Sequence, residues 1–184
     1  MHEFAAHMFT TAVTKVQEQY GSREHNARFA GIAGPNDALS ERETTFIQQR
    51  DTFYMATVNE DGWPYVQHRG GPTGFLRVLD ANRIGYADFR GNTQLISVGN
   101  VSSNDRVSLI LMDYPNRRRL KIIGHMRVTD VHEASKTDVA AVSLKDYRAL
   151  VERIVEIDVV AFDWNCPQHI TPRYTQSEWN GEES

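Results

Sequence analysis

The sequence predicts a mainly β fold, an antiparallel barrel flanked by α-helices, on three observations. Six or seven short runs have the two-residue alternation or the β-branched and aromatic content of strands. Short turns rather than helical crossovers join most of them, which argues against a parallel α/β sheet. Helical spacing, in contrast, falls mostly at the margins of these runs.

Taken in order, Phe9, Val13, Val16 and Tyr20 recur at helical spacing and predict one apolar stripe, with Gly21 able to end the helix. The stretch AGIAGPNDALS predicts a loop. Ser40 and Glu43 then form an S-x-x-E capping pattern opening a short helix through about Gln49. TFYMATV predicts a strand from Thr52, NEDG a hairpin turn at Asp61-Gly62, and WPYVQHR the return strand. FLRVLD and RIGYADF form a second hairpin around Asp80-Ala81-Asn82, and VSLILMDY a buried strand. In LKIIGHMRV, Leu120, Ile122, Met126 and Val128 face one way, with Lys121, His125 and Arg127 on the other side. Residues 133–151 read as helical, with Ala134, Val139, Val142 and Leu150 inward. The last strand, IVEIDVVAF, turns Val155, Ile157, Val159 and Ala161 to one face.

Composition bounds what such a protein does. Length 184, 40% hydrophobic and 24% charged residues fit one ordinary globular domain. A net charge of −4 argues against a nucleic-acid binder with a broad basic face. Cys166 is the only cysteine, so no internal disulfide or cysteine-rich zinc module is expected. No apolar run reaches the roughly 18 residues of a membrane span, and the first residues lack the pattern of a signal peptide. A cytoplasmic location is the expectation.

Four stretches carry candidate chemistry. In GYADFRGNTQLIS, Arg90, Asn92, Thr93 and Gln94 concentrate donors at a strand-to-helix corner, where Gly91 lets main-chain N–H groups approach an anion. A helix starting near Asn92 would add its N-terminal dipole; simple capping by Asn92 is the plainer alternative. In QHRGGPTGFLRV, the glycines after His68 and Arg69 suit a loop or bulge, or a flat ring lying on backbone. In YPNRRRLKIIG, three arginines and Lys121 make the densest positive patch, of which alternation allows only some into one site. In DWNCPQHITPRY, metal and cysteine-nucleophile roles lack the necessary partners, leaving packing and contacts to a planar ligand.

Together these segments resemble the pyridoxamine 5'-phosphate oxidase-like FMN-binding split-barrel family, closest to its flavin-nucleotide-binding branch, over roughly Glu41 to Tyr174. The resemblance implies a six-stranded antiparallel split β-barrel of FMN-binding type spanning 41–174. A helix-and-loop extension (1–40) would precede it and a tail (175–184) follow. It implies a homodimer with FMN at the subunit interface. Val66, Gln67, His68, Arg69 and Gly70 would then lie against the isoalloxazine, and Tyr86, Ala87 and Asp88 would line the site. Arg90, Gly91, Asn92, Thr93 and Gln94 would address the phosphate, with Arg119 as a further cation. Trp164, Asn165 and Gln168 would reach a flavin from the tail.

The expected function is an FMN-dependent oxidoreductase of unknown substrate, with NAD(P)H as a possible electron donor. A flavin-binding or sensing protein without turnover is the alternative. A third is a relative that binds haem, with His125 and His169 as conceivable haem ligands, or a deazaflavin. The family's oxidases carry S-R-K at the phosphate where this chain has R-G-N-T, and no arginine-bearing end segment for vitamin B6 is found. Vitamin B6 oxidation is therefore not expected.

Overall fold

The structure is a computed structural model that describes residues 2–32, 34–145, 147–164 and 168–181. Helices α1 (Glu3–Met8), α2 (Thr11–Gln19), α3 (Arg23–Ile32) and α4 (Glu41–Gln48) come first. They are followed by β1 (Thr52–Val58), β2 (Pro64–Gly70), β3 (Arg77–Asp80), β4 (Arg83–Phe89) and α5 (Ile96–Ser103). The chain closes with β5 (Arg106–Asp113), β6 (Arg118–Asp130), α6 (Lys136–Val142), β7 (Val151–Trp164) and α7 (Gln176–Asn180).

All seven strands form one sheet in the order β2-β1-β5-β6-β7-β4-β3, every neighbouring pair antiparallel. The family resemblance implies six strands; the sheet has seven, within the six or seven that the runs predict. All seven strand-like runs read from the sequence pair, including FLRVLD as β3, a four-residue edge strand paired only with β4. The backbone ladder does not close. Instead the two ends of the sheet curl toward each other, and a side-chain ion pair from Arg69 on β2 to Asp88 on β4 spans the gap at 2.7 Å.

The inward residues of each strand fill the interior: Phe53 and Met55, Leu109 and Leu111, Leu120, Ile122 and Met126, Val155 and Ile157, with Ile84 and Tyr86. Phe46 and Ile47 of α4 plug one end. Each such side chain contributes about 1.5–3 kcal/mol by leaving water. A bulge between Ile123 and Gly124 bends β6 against β7. A Cβ at position 124 would strike the Asp158 carbonyl, so only glycine fits the bend.

The capping box on α4 forms in full, Ser40 and Glu43 each satisfying the other's backbone donor. The first hairpin turns at Gly62, whose φ is +85°. Other elements differ from expectation. Among the described residues of the segment 133–151, only 136–142 are helical, ending at Ser143, and Leu150 is exposed. Helix α3 occupies the first part of the expected loop 30–40. The stripe on α2 is not covered: Val16 is 52% and Tyr20 76% exposed, while Gln17 is the residue turned inward. Gln17 accepts from Arg23 and Ser22, so polar contacts to the start of α3 set the rotation of this short helix.

Candidate functional site

Beside the split lies a cavity of about 220 Å³. Alternation along β2 sends Tyr65, Gln67 and Arg69 to it and leaves Val66, 62% exposed, on the other face with His68. His68 bonds Thr52 through Nε2 and meets the Tyr54 ring edge-on. From β4 comes Asp88, and from β7 Arg153. The corner after β4 supplies Gly91, Asn92, Thr93 and Gln94, and α5 supplies Ser97 and Val98.

The charges form an alternating chain. Asp88, only 4% exposed, accepts from Arg69 Nη1 at 2.7 Å and from Arg153 Nε at 2.8 Å. Arg153 Nη2 also donates to Glu152, which accepts from Arg90 Nε at 2.7 Å. The Arg90 hydrogen bond, with both neighbouring guanidiniums, holds the Glu152 carboxyl below its ordinary range. Burial works against the Arg153 charge, but Asp88 and Glu152 outweigh it and raise its pKa. Three cations face two anions, which leaves this side of an acidic chain positive.

Left-handed backbone sits on Thr93 (φ 58°) and Leu95 (φ 54°) rather than on Gly91. Such conformations cost an L-residue roughly 1–2 kcal/mol each and persist only where the surroundings impose them. Asn92 does not cap the helix, as its side chain accepts instead from the Gln94 N–H. Helix α5 begins at Ile96 after Leu95, with no side-chain cap. Its first helical bond runs from Gly99 N–H to the Leu95 carbonyl, so the N–H groups of Ile96, Ser97 and Val98 have no partner in the helix. Uncapped helix starts favour anions through these donors and the macrodipole. Ser97 and Asn100 hold α5 in place by bonding Gln67 at 2.9 Å and Thr57 at 2.9 Å.

A smaller space of about 170 Å³ adjoins, lined by His68, Arg69, Gly70, Phe75, Tyr86, Ala87, Asp88 and Phe89. Tyr86 Oη and Arg69 Nε are buried here with no partner among the described residues. Burial pushes the Tyr86 hydroxyl far above its ordinary pKa, so it stays protonated, a donor with nothing to donate to.

The structure thus gathers Gln67, Arg69, Asp88, Gly91, Asn92, Thr93 and Gln94 at one cavity and His68, Gly70, Tyr86 and Ala87 at its neighbour. Arg90 points to Glu152 and does not line the cavity. Trp164 stands eleven residues along β7 from Arg153, roughly 35 Å at strand rise. Arg119 is the second residue of β6, at that same far end beside Leu120, which pairs with Trp164. Gln168 is exposed, and Asn165 and Cys166 lie outside the described residues. Neither His125 nor His169 lines the cavity.

Arg153 is the main residue missed. The signal was present: the alternation that turns Val155, Ile157 and Val159 inward puts Arg153 on the same face. A charge at an inward position marks a site or an ion pair, and here it is both.

The sequence pattern of the pyridoxamine 5'-phosphate oxidase family matches residues 39–161. The chain belongs to this family. No curated protein sequence matches it. Among solved structures, a putative pyridoxamine 5'-phosphate oxidase from Lactobacillus delbrueckii superposes with TM-score 0.53 at 18% identity, over 70% of this chain and 96% of that one. An FMN-binding protein from Syntrophomonas wolfei gives 0.51 at 8% identity, over 81% and 97%. HupZ of Group A Streptococcus gives 0.55 at 15% identity, over 74% and 99%. These likenesses establish the shared split-barrel fold. No helix among the described residues is long and apolar enough to cross a membrane.

Proposed function

We propose that this member of the family is an FMN-binding flavoprotein with oxidoreductase chemistry, and that the cavity takes the phosphate end of FMN. The observation that carries this is the uncapped start of α5 beside Arg69 and Arg153, an arrangement of donors and charge suited to a phosphate. Asn92, Thr93 and Gln94 would add side-chain donors, and the unpartnered Tyr86 hydroxyl and Arg69 Nε offer donors toward the ring. Bound FMN would supply hydride or electron transfer; the protein's part is to bind it, orient it and shield it from water.

The cavity also bears on assembly. A homodimer would complete the site at the subunit interface. Trp164, Gln168 and Arg119, remote from the cavity of their own chain, would serve the partner's flavin.

Asp88 is the only carboxylate lining the cavity among the described residues, and two guanidiniums already occupy it. That favours a second reading, flavin binding without turnover. Both are tested on purified protein given FMN and then desalted. Retained flavin absorbance, stoichiometric with the chain, is expected, whereas a colourless protein removes the cofactor assignment. Rapid reduction by NAD(P)H under stopped flow favours the enzyme, and its absence favours binding alone.

A further inference from the structure

The end of the barrel remote from the cavity holds a second constellation, in which two arginines that the flavin reading does not use gather around Trp164. There the indole Nε1 of Trp164 donates to Glu43 Oε1 at 2.7 Å, and its ring meets Phe46 edge-on at 4.8 Å between centroids. Glu43 is itself buried and tied to the α4 cap, so the indole has one fixed orientation. Two guanidiniums lie over this platform: Arg42 at 4.4 Å from the Trp164 centroid and Arg118 at 5.1 Å, the latter also 5.2 Å from Phe46.

Their situation differs from that of Arg50, which also sits over Phe46 but is paired with Asp113 and donates to the Met112 carbonyl. Among the described residues, neither Arg42 nor Arg118 has a carboxylate or hydrogen-bond partner for its guanidinium. A guanidinium stacked on an aromatic face is held flat while its in-plane N–H fork remains available for a bidentate oxoanion. Both side chains line one groove of about 400 Å³, together with Glu41, Thr45, Phe46 and Gln49. Thr45 and Gln49 add neutral donors.

We propose that this groove is a second ligand site, in which Arg42 and Arg118, mounted on Trp164, clamp the phosphate-type oxoanion of a small molecule. Glu41 on the rim limits the net charge of the lining to a single positive unit, which suits one compact oxoanion and disfavours a polyanionic strand. The assignment does not depend on the cavity at the split holding the FMN phosphate.

Trp164 is its own reporter once Trp63 and Trp179, the other two tryptophans, are changed to Phe. Inorganic phosphate is titrated at constant ionic strength, with sodium chloride as the control. A saturable change in Trp164 emission is expected with phosphate and not with chloride. Arg42→Ala with Arg118→Ala should weaken that response at least tenfold. Arg42→Lys with Arg118→Lys, which keeps charge and stem but loses the forks, should weaken it less, and circular dichroism checks that both variants fold. No saturable response, or an equal one in the folded alanine variant, overturns the proposal. FMN retention is measured in the same variants and should be unchanged. If FMN and phosphate binding fall together, the arginines belong to the flavin site and no second site exists.

Discussion

Asp88 decides more than any other single residue, because it holds the two guanidiniums that flank the split. Removing one member of a buried ion network strands the others, at roughly 3–5 kcal/mol. Asp88→Ala should lower unfolding free energy by about that much in urea titrations. Asp88→Asn, which still accepts a hydrogen bond, should cost less. Equal and small effects would mean the guanidiniums are solvated rather than locked. Tyr86 is the opposite case. Its buried hydroxyl lacks a partner, so Tyr86→Phe should leave stability unchanged or raise it by about 1 kcal/mol. If the hydroxyl serves the flavin, the same change weakens FMN binding, and a titration of both proteins reads the difference. Asp88 and Arg69 were legible as polar residues on strand ends, whereas Tyr86's lack of a partner is a property of packing that no sequence pattern encodes.

Local signals and tertiary demands part company among the elements. Helix α4 was legible because its start is written in four residues, Ser40 to Glu43. Burial alone would raise the Glu43 carboxyl, but hydrogen bonds from the Ser40 side chain, Trp164 and the Ser40 backbone outweigh it and lower the pKa. A depressed carboxyl stabilises the fold above its unfolded pKa and loses that contribution as pH falls through the folded value. Stability should therefore decline on acidification below about 4.5, the ordinary Glu value, and less steeply in Glu43→Gln. Parallel slopes in urea melts between pH 3 and 6, a range roughly spanning carboxylate titration, would show that Glu43 is not the group responsible. The start of α5 was misplaced by four residues because left-handed backbone at Thr93 and Leu95 delays it, and nothing in either side chain announces that conformation. A β-branched residue is especially strained there. Thr93→Gly should raise the melting temperature, with relief of about 1–2 kcal/mol offset by roughly 0.5–1 of glycine entropy. A fall would mean that the Thr93 side chain makes contacts worth more than the strain.

At the scale of the molecule, strand alternation made the barrel legible, since one face of nearly every strand had to be buried. The open ladder and its charged bridge were not, because closure depends on how far the sheet curls, and curl accumulates from small twists spread over seven strands. The same openness leads to the last prediction. In the proposed dimer, with Trp164 and Arg119 serving the partner's flavin, FMN binding and subunit pairing would be one equilibrium. A ligand bound only by the dimer stabilises it by about 2.7 kcal/mol at a hundredfold excess over its dissociation constant. In light scattering on a dilution series, FMN should therefore hold the particle at twice the chain mass to lower protein concentration than apoprotein sustains. The melting temperature should likewise rise with FMN and with protein concentration together. A particle of single-chain mass carrying stoichiometric FMN would show that one chain builds the whole site, and the far-end residues would lose their assigned role.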